Sequence, residues 1–291
     1  MAYFGDMTRT ENLNITQQGL QLSQQHYENF PVASVLMPKK LRAPIALIYS
    51  FARQADDIAD EGDASETERL QGLQAFKNEL DLIEAYIQPN LPLFKALSTT
   101  IQTHKLPLQP FYDLLDAFSQ DVTKTRYANF AEVQDYCRRS ANPIGRLLLH
   151  LYGQATPQNL AYADNICTAL QLINFYQDVA IDFAKNDGKR RIYLCQDELE
   201  KFNLNNALAQ HAGSKTYAEF MQFNLQRAEQ LLHAGKPLGR ELKGRISLEM
   251  RLIIAGGQTI INKLKQQPNV FAKRPVLNGF DWAKMLIQAI F

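Results

Sequence analysis

Apolar residues recur every three to four positions through most of this chain, and no stretch shows the strict alternation of a half-buried strand. Such a chain can bury a core only by packing helix on helix, so an all-α bundle is expected. Candidate helices cover 12–28, 41–61, 66–86, 91–103, 110–121, 130–152, 157–184, 216–235, 240–266 and 280–290. Ser65 and Glu68 have the spacing of a capping box, Gly62 follows the segment 41–61, and Pro157 suits a first helical turn. Pro143 falls inside 130–152 and is expected to kink or break it. The chain has 291 residues, 46% of them hydrophobic, and no Gly/Ser-rich or Pro-rich linker, so one domain spanning 1–291 is expected.

Two of these apolar segments carry acidic clusters, Asp56-Asp57-Ile58-Ala59-Asp60 and Asp178-Val179-Ala180-Ile181-Asp182. Each contains a carboxylate pair at i,i+4, which a helix stacks on one face. Tyr49, Arg53, Asp56 and Asp60 share a stripe about 60° wide, from which Asp57 points away. Gln171, Asn174, Asp178 and Asp182 form a second stripe, opposite the apolar Leu170, Leu172, Ile173, Val179 and Ile181. A lone DxxxD is usually solvated surface. These stripes lie on segments that should face a core, where unpaired polar groups cost a few kcal/mol each. Internal Arg–Asp pairing is one way to satisfy them. Two such faces opposed across a bundle would instead make a cage for Mg²⁺, a hard cation that bridges carboxylates to substrate phosphates. Diphosphate chemistry is the reading that follows.

The remaining composition narrows the classes. Net charge is +1, with 31 basic and 30 acidic residues, which gives no electrostatic case for a nucleic-acid partner. Cys137, Cys167 and Cys195 form no CxxC and read as reduced thiols of a cytoplasmic protein. The five histidines show no HxxxH spacing and no Glu-x-x-His occurs, which argues against a zinc hydrolase and a di-iron bundle. No apolar run is long enough to span a bilayer, and the first residues do not read as a leader. The amphipathic piece 280–291 suits a last packing helix in preference to a peripheral membrane contact. The basic run 185–191 is ordinarily solvated surface; placed just after the second acidic cluster, it could also meet a leaving diphosphate and order a lid.

Together these residues resemble the squalene/phytoene synthase family of head-to-head isoprenoid synthases. Tyr49 to Asp60 is similar to that family's first Asp-rich motif and Gln171 to Asp182 to its second. Arg191-Ile192-Tyr193-Leu194 resembles its Arg-Ile-Tyr signature, and Tyr136-Cys137 its Tyr-Cys helix. The likeness runs from His26 to Leu194 and is strongest to the bacterial hopanoid-pathway branch that makes hydroxysqualene. Asn29 to Ser34 and Ala141 to Gly145 differ from the sequences phytoene synthases carry there, and Gln177 replaces an Arg that could hold a second diphosphate.

The resemblance implies an all-α isoprenoid-synthase bundle around a central cavity. It implies that Asp56, Asp60, Asn174, Asp178 and Asp182 hold Mg²⁺, and that His26, Tyr49, Arg53, Gln171 and Arg191 contact the diphosphate or its polar neighbours. Tyr136, Phe175 or Phe30 would offer ring faces to a carbocation. The implied reaction ionises presqualene diphosphate and captures the rearranged cation with water, needing no nicotinamide. A condensing synthase joining two farnesyl diphosphates is the alternative. A catalytically silent helical partner of a pathway enzyme is a third reading, against which four retained carboxylates argue.

Overall fold

The computed structural model describes residues 38–184, 191–205 and 208–290. The expected helix 12–28, His26, Phe30, the segment Asn29 to Ser34 and the basic residues 185–190 lie outside them. The described chain divides into two compact units. One runs up to Thr123 and includes Arg146–Ala155; the other joins Lys124–Gly145 to the residues from Thr156 onward.

The first unit contains α1 (Lys39–Asp60), α2 (Glu66–Glu84), α3 (Pro92–His104) and α4 (Gln109–Thr123). Ile48, Phe51, Ala55 and Ala59 form one buried face of α1. Phe51 sets its rotation: its ring meets Phe111 of α4 at 5.2 Å and Phe94 of α3 at 5.8 Å, both edge-on. With that face fixed inward, the stripe of Tyr49, Arg53, Asp56 and Asp60 is carried about 120° around the helix, where all four are half-buried. The expected capping box opens α2, with Ser65 and Glu68 bonded reciprocally. Gly62 takes φ +73° just past α1, a conformation that L side chains adopt reluctantly. Arg69 then closes the end of α1, donating to the carbonyls of Ile58, Glu61, Gly62 and Ala64 at 2.7–3.1 Å. One guanidinium thus satisfies carbonyls that a helix end leaves without partners.

The second unit contains α5 (Phe130–Ser140), the start of α6 (Asn142–Leu151), α7 (Pro157–Ala184), α8 (Gln196–Lys201), α9 (Lys215–Gly235), α10 (Leu238–Glu241), α11 (Gly244–Gln266) and α12 (Gly279–Ile290). α7, which carries the second acidic cluster, packs along α9 and α11. Gly235 permits the closest approach: a Cβ there would lie 2.5 Å from Ile166 Cγ1 and 2.7 Å from the Tyr162 carbonyl oxygen.

Pro143 breaks the segment 130–152 into two helices, as expected, because it can enter a first turn but cannot continue a helix. Two other expectations need correction. The segment 240–266 is the end of α10 and all of α11, separated by Leu242 and Lys243, with Gly244 opening α11 at φ +62°. The chain also contains strand: β1 (Arg126–Tyr127) pairs in parallel with β2 (Ile192–Cys195). Strands of two and four residues are too short to show a period of two. No described helix is long and apolar enough to cross a membrane.

Candidate active site

In the first unit, Arg53 gathers the acidic residues of its helix. Its Nη1 lies 3.3 Å from Asp56 Oδ2, and its Nη2 lies 2.7 Å from Asp57 Oδ1 and 3.5 Å from Glu61 Oε1. Asp57, expected to point away from the stripe, therefore shares the same guanidinium. Burial and the neighbouring Asp60 raise the Asp56 carboxyl to about 6; Arg53 opposes the rise, and Asp121 and Asp57 add to it.

Asp121, near the end of α4, was not among the residues singled out from the sequence. A signal for it exists: Leu114, Ala117 and Phe118 mark the buried face of α4, and Asp121 continues that face at i+7, i+4 and i+3. Asp60, Asp121 and Asp57 add negative charge around Asp56 against Arg53, and their repulsion adds to burial in raising its proton affinity. Oxygen donors in excess of local positive charge are the chemistry that a divalent cation satisfies, so the residues present fit Mg²⁺.

In the second unit, Gln171, Asn174, Asp178 and Asp182 are all half-buried on α7, while Leu172, Ile173 and Val179 are buried. Ile181 is the exception to the expected apolar face, at 42% exposed. Asp178 is held by Arg274, which precedes α12: Nε donates to Oδ1 at 2.5 Å and Nη2 to Oδ2 at 3.3 Å. The next residue of the same segment accepts from Gln177, whose Nε2 donates to the Pro275 carbonyl oxygen at 2.7 Å. Gln177 is fully buried. Its neutral side chain points into protein and ties the 274–275 segment to α7. Nothing in the bare sequence marks Arg274 as a partner of the second cluster, nearly a hundred residues earlier.

Tyr136, Phe175 and Tyr193 come together around α7. The Tyr193 ring of β2 stacks on Phe175 at 3.8 Å and 4°, and its hydroxyl lies 3.3 Å from that of Tyr136. Tyr127 of β1 stacks on Tyr193 at 5.4 Å and meets Tyr136 edge-on at 5.7 Å. One face of Phe175 is thus already covered by protein. Arg191, half-buried, immediately precedes β2, whose first residue donates its backbone N–H to the Thr125 carbonyl oxygen at 3.0 Å. Cys137, Cys167 and Cys195 are free thiols, and burial pushes Cys167 and Cys195 up to about 12, which leaves no thiolate for nucleophilic work.

Comparison with known proteins gives the family. A family model described as squalene/phytoene synthase matches residues 23–281, a span that includes residues of both units. Hydroxysqualene synthase of Sinorhizobium fredii (strain NBRC 101917 / NGR234) is 34% identical, over 82% of this chain and 80% of its own. Hydroxysqualene synthase of Rhodopseudomonas palustris (strain ATCC BAA-98 / CGA009) is 35% identical, again over 82% of this chain and 80% of its own. The crystal structure of squalene synthase HpnC from Alicyclobacillus acidocaldarius matches with a TM-score of 0.78 at 31% identity, covering 89% of this chain and 95% of that one.

Proposed function

The chain belongs to the squalene/phytoene synthase family of isoprenoid synthases, and we propose that it is the member that converts presqualene diphosphate to hydroxysqualene. The observation that carries this reading is the set of carboxylates that act on Asp56, namely Asp60, Asp121 and Asp57 against Arg53. The choice of water capture rests on the likeness to relatives named hydroxysqualene synthase.

In this proposal Asp56 and Asp60 hold Mg²⁺ in the first unit, and Asn174, Asp178 and Asp182 hold Mg²⁺ in the second. Bound there, the cation supplies positive charge to the departing diphosphate. Tyr49, Arg53, Gln171 and Arg191, together with His26, which lies outside the described residues, contact phosphate oxygens. Arg53 and Arg191 add guanidinium charge where negative charge develops, which lowers the barrier to heterolysis.

The C–O bond breaks with its electron pair leaving on diphosphate. The resulting cyclopropylcarbinyl cation rearranges near the rings of Tyr136 and Phe175, whose faces attract positive charge. A water oxygen then forms the new C–O bond and loses a proton. No electron is supplied or removed, so no nicotinamide is required.

A second reading, a condensing synthase acting on two farnesyl diphosphates, is favoured by one observation: a solved structure 31% identical to this chain is named squalene synthase. Incubation of the purified chain with presqualene diphosphate and Mg²⁺, without nicotinamide, separates the two. Hydroxysqualene in the lipid extract, identified by mass spectrometry, is the expected product. An inert presqualene diphosphate, with farnesyl diphosphate consumed instead, would assign condensation.

A further inference from the structure

We propose that α12 is an interfacial helix that seats this enzyme on an anionic lipid surface. At 100° per residue, Phe280, Ala283, Leu286, Ile287 and Ile290 fall within an arc of about 120°. All five are exposed, Phe280 at 80%, Ile287 at 61% and Ile290 at 59%. Met285 and Ala289, on the opposite side, are the residues α12 buries as it packs on α11. A surface helix of a water-soluble protein ordinarily turns its polar side outward. Here the larger apolar side chains face away from the protein, and the exposed Val276 extends the patch just ahead of the helix.

Charge selects the occupant. Residues 271–290 contain one acid, Asp281, and it is committed inward: Lys263 Nζ lies 2.5 Å from its Oδ2, which also accepts from the Asn278 N–H at 2.7 Å. The exposed charges are positive, Lys284 beside the apolar arc and Lys273 before the helix. Trp282, the chain's single tryptophan, is half-buried on the same helix, and such amphipathic rings favour the headgroup level of a membrane. Apolar arc, basic flank and a helix that lies on a bilayer without crossing it describe a monotopic contact with anionic headgroups. A second copy of the chain fits less well, because three turns of one helix fall short of the ~800 Å² per partner of a stable interface.

The benefit of such seating rests on the proposed function, since a water-insoluble isoprenoid product can pass directly into lipid; the docking does not, and the two fail separately. Co-sedimentation of the full chain with phosphatidylglycerol/phosphatidylcholine vesicles tests it, with pure phosphatidylcholine vesicles as the comparison. The wild type should bind the anionic vesicles more tightly. Phe280→Glu with Ile287→Glu should lower the partition coefficient at least about tenfold, with an unchanged melting temperature and unchanged turnover of detergent-dispersed substrate. Lys284→Glu should weaken binding to the anionic vesicles only. Equal binding by wild type and double variant would overturn the proposal. So would a wild type that ignores lipid and sediments in solution as a dimer that the double variant abolishes.

Discussion

Arg274 holds both carboxylate oxygens of Asp178, Nε at 2.5 Å and Nη2 at 3.3 Å, so a metal-ligand position of the proposed mechanism already carries a counter-charge of the protein's own. Each side chain is 23% exposed, which keeps the pair partly sheltered from solvent. A guanidinium there keeps the carboxylate aimed. The same oxygens cannot give both lone-pair directions to Arg274 and to a cation, so metal loading and this pair are linked.

A double-mutant cycle with Asp178→Asn and Arg274→Gln in metal-free protein should therefore give a coupling of about 1 kcal/mol in thermal unfolding. Saturating Mg²⁺ should shrink it. A coupling insensitive to Mg²⁺ would separate Asp178 from metal binding.

Asp56→Asn and Asp178→Asn should each lower turnover at least about 10²-fold, the scale of loss when catalytic electrostatics are removed. Far-ultraviolet circular dichroism should stay the same, since both side chains are half-buried on long helices. Arg191→Ala should cost less rate than either. Near-normal turnover in either Asn variant would refute the metal assignment.

The pH dependence of metal-free stability has a definite sign. Asp56 holds its proton to about 6 in the folded chain against an ordinary 3.8, because of burial and then Asp60. Its contribution is fully present below the lower value and is lost as pH rises through the upper one. Asp56→Asn, which cannot ionise, should melt above wild type at about pH 8, and the gap should close between about 6 and 4. A gap constant with pH would contradict the crowding.

Gly235→Ala should lower the melting temperature, because the new Cβ meets backbone of α7 at Tyr162 as well as the Ile166 side chain. Overpacking of this kind costs about 1–3 kcal/mol. Calorimetry on the purified variant checks it; an unchanged transition would mean that α9 can slide away from α7 freely.

Periodicity placed α7 at the bounds observed and made the two acidic stripes visible, because one helix is enough to define each. Asp121 was legible in principle on the apolar register of α4 but was passed over, a lone carboxylate being weak evidence beside a pair. Arg274 and Tyr127 were not legible. Their roles arise from contacts between distant segments, and neither sits in a motif. The partner of Gln177 was not legible either: its place beside the second-cluster Asp says nothing about which way its side chain turns, and a helix turns neighbours about 100° apart.

The parallel pairing of β1 with β2 also bears on how the chain reaches its fold. Arg126 and Ile192 are separated by all of α5, α6 and α7, so their ladder can close only after that long intervening stretch has collapsed. Contacts of such range slow folding, whereas α1 to α4 follow one another directly and pack within their own unit. Tyr193, riding on β2, thus meets Phe175 and Tyr136 only when a late, non-local closure is complete, and the aromatic cluster reports the end of folding more faithfully than helix content does.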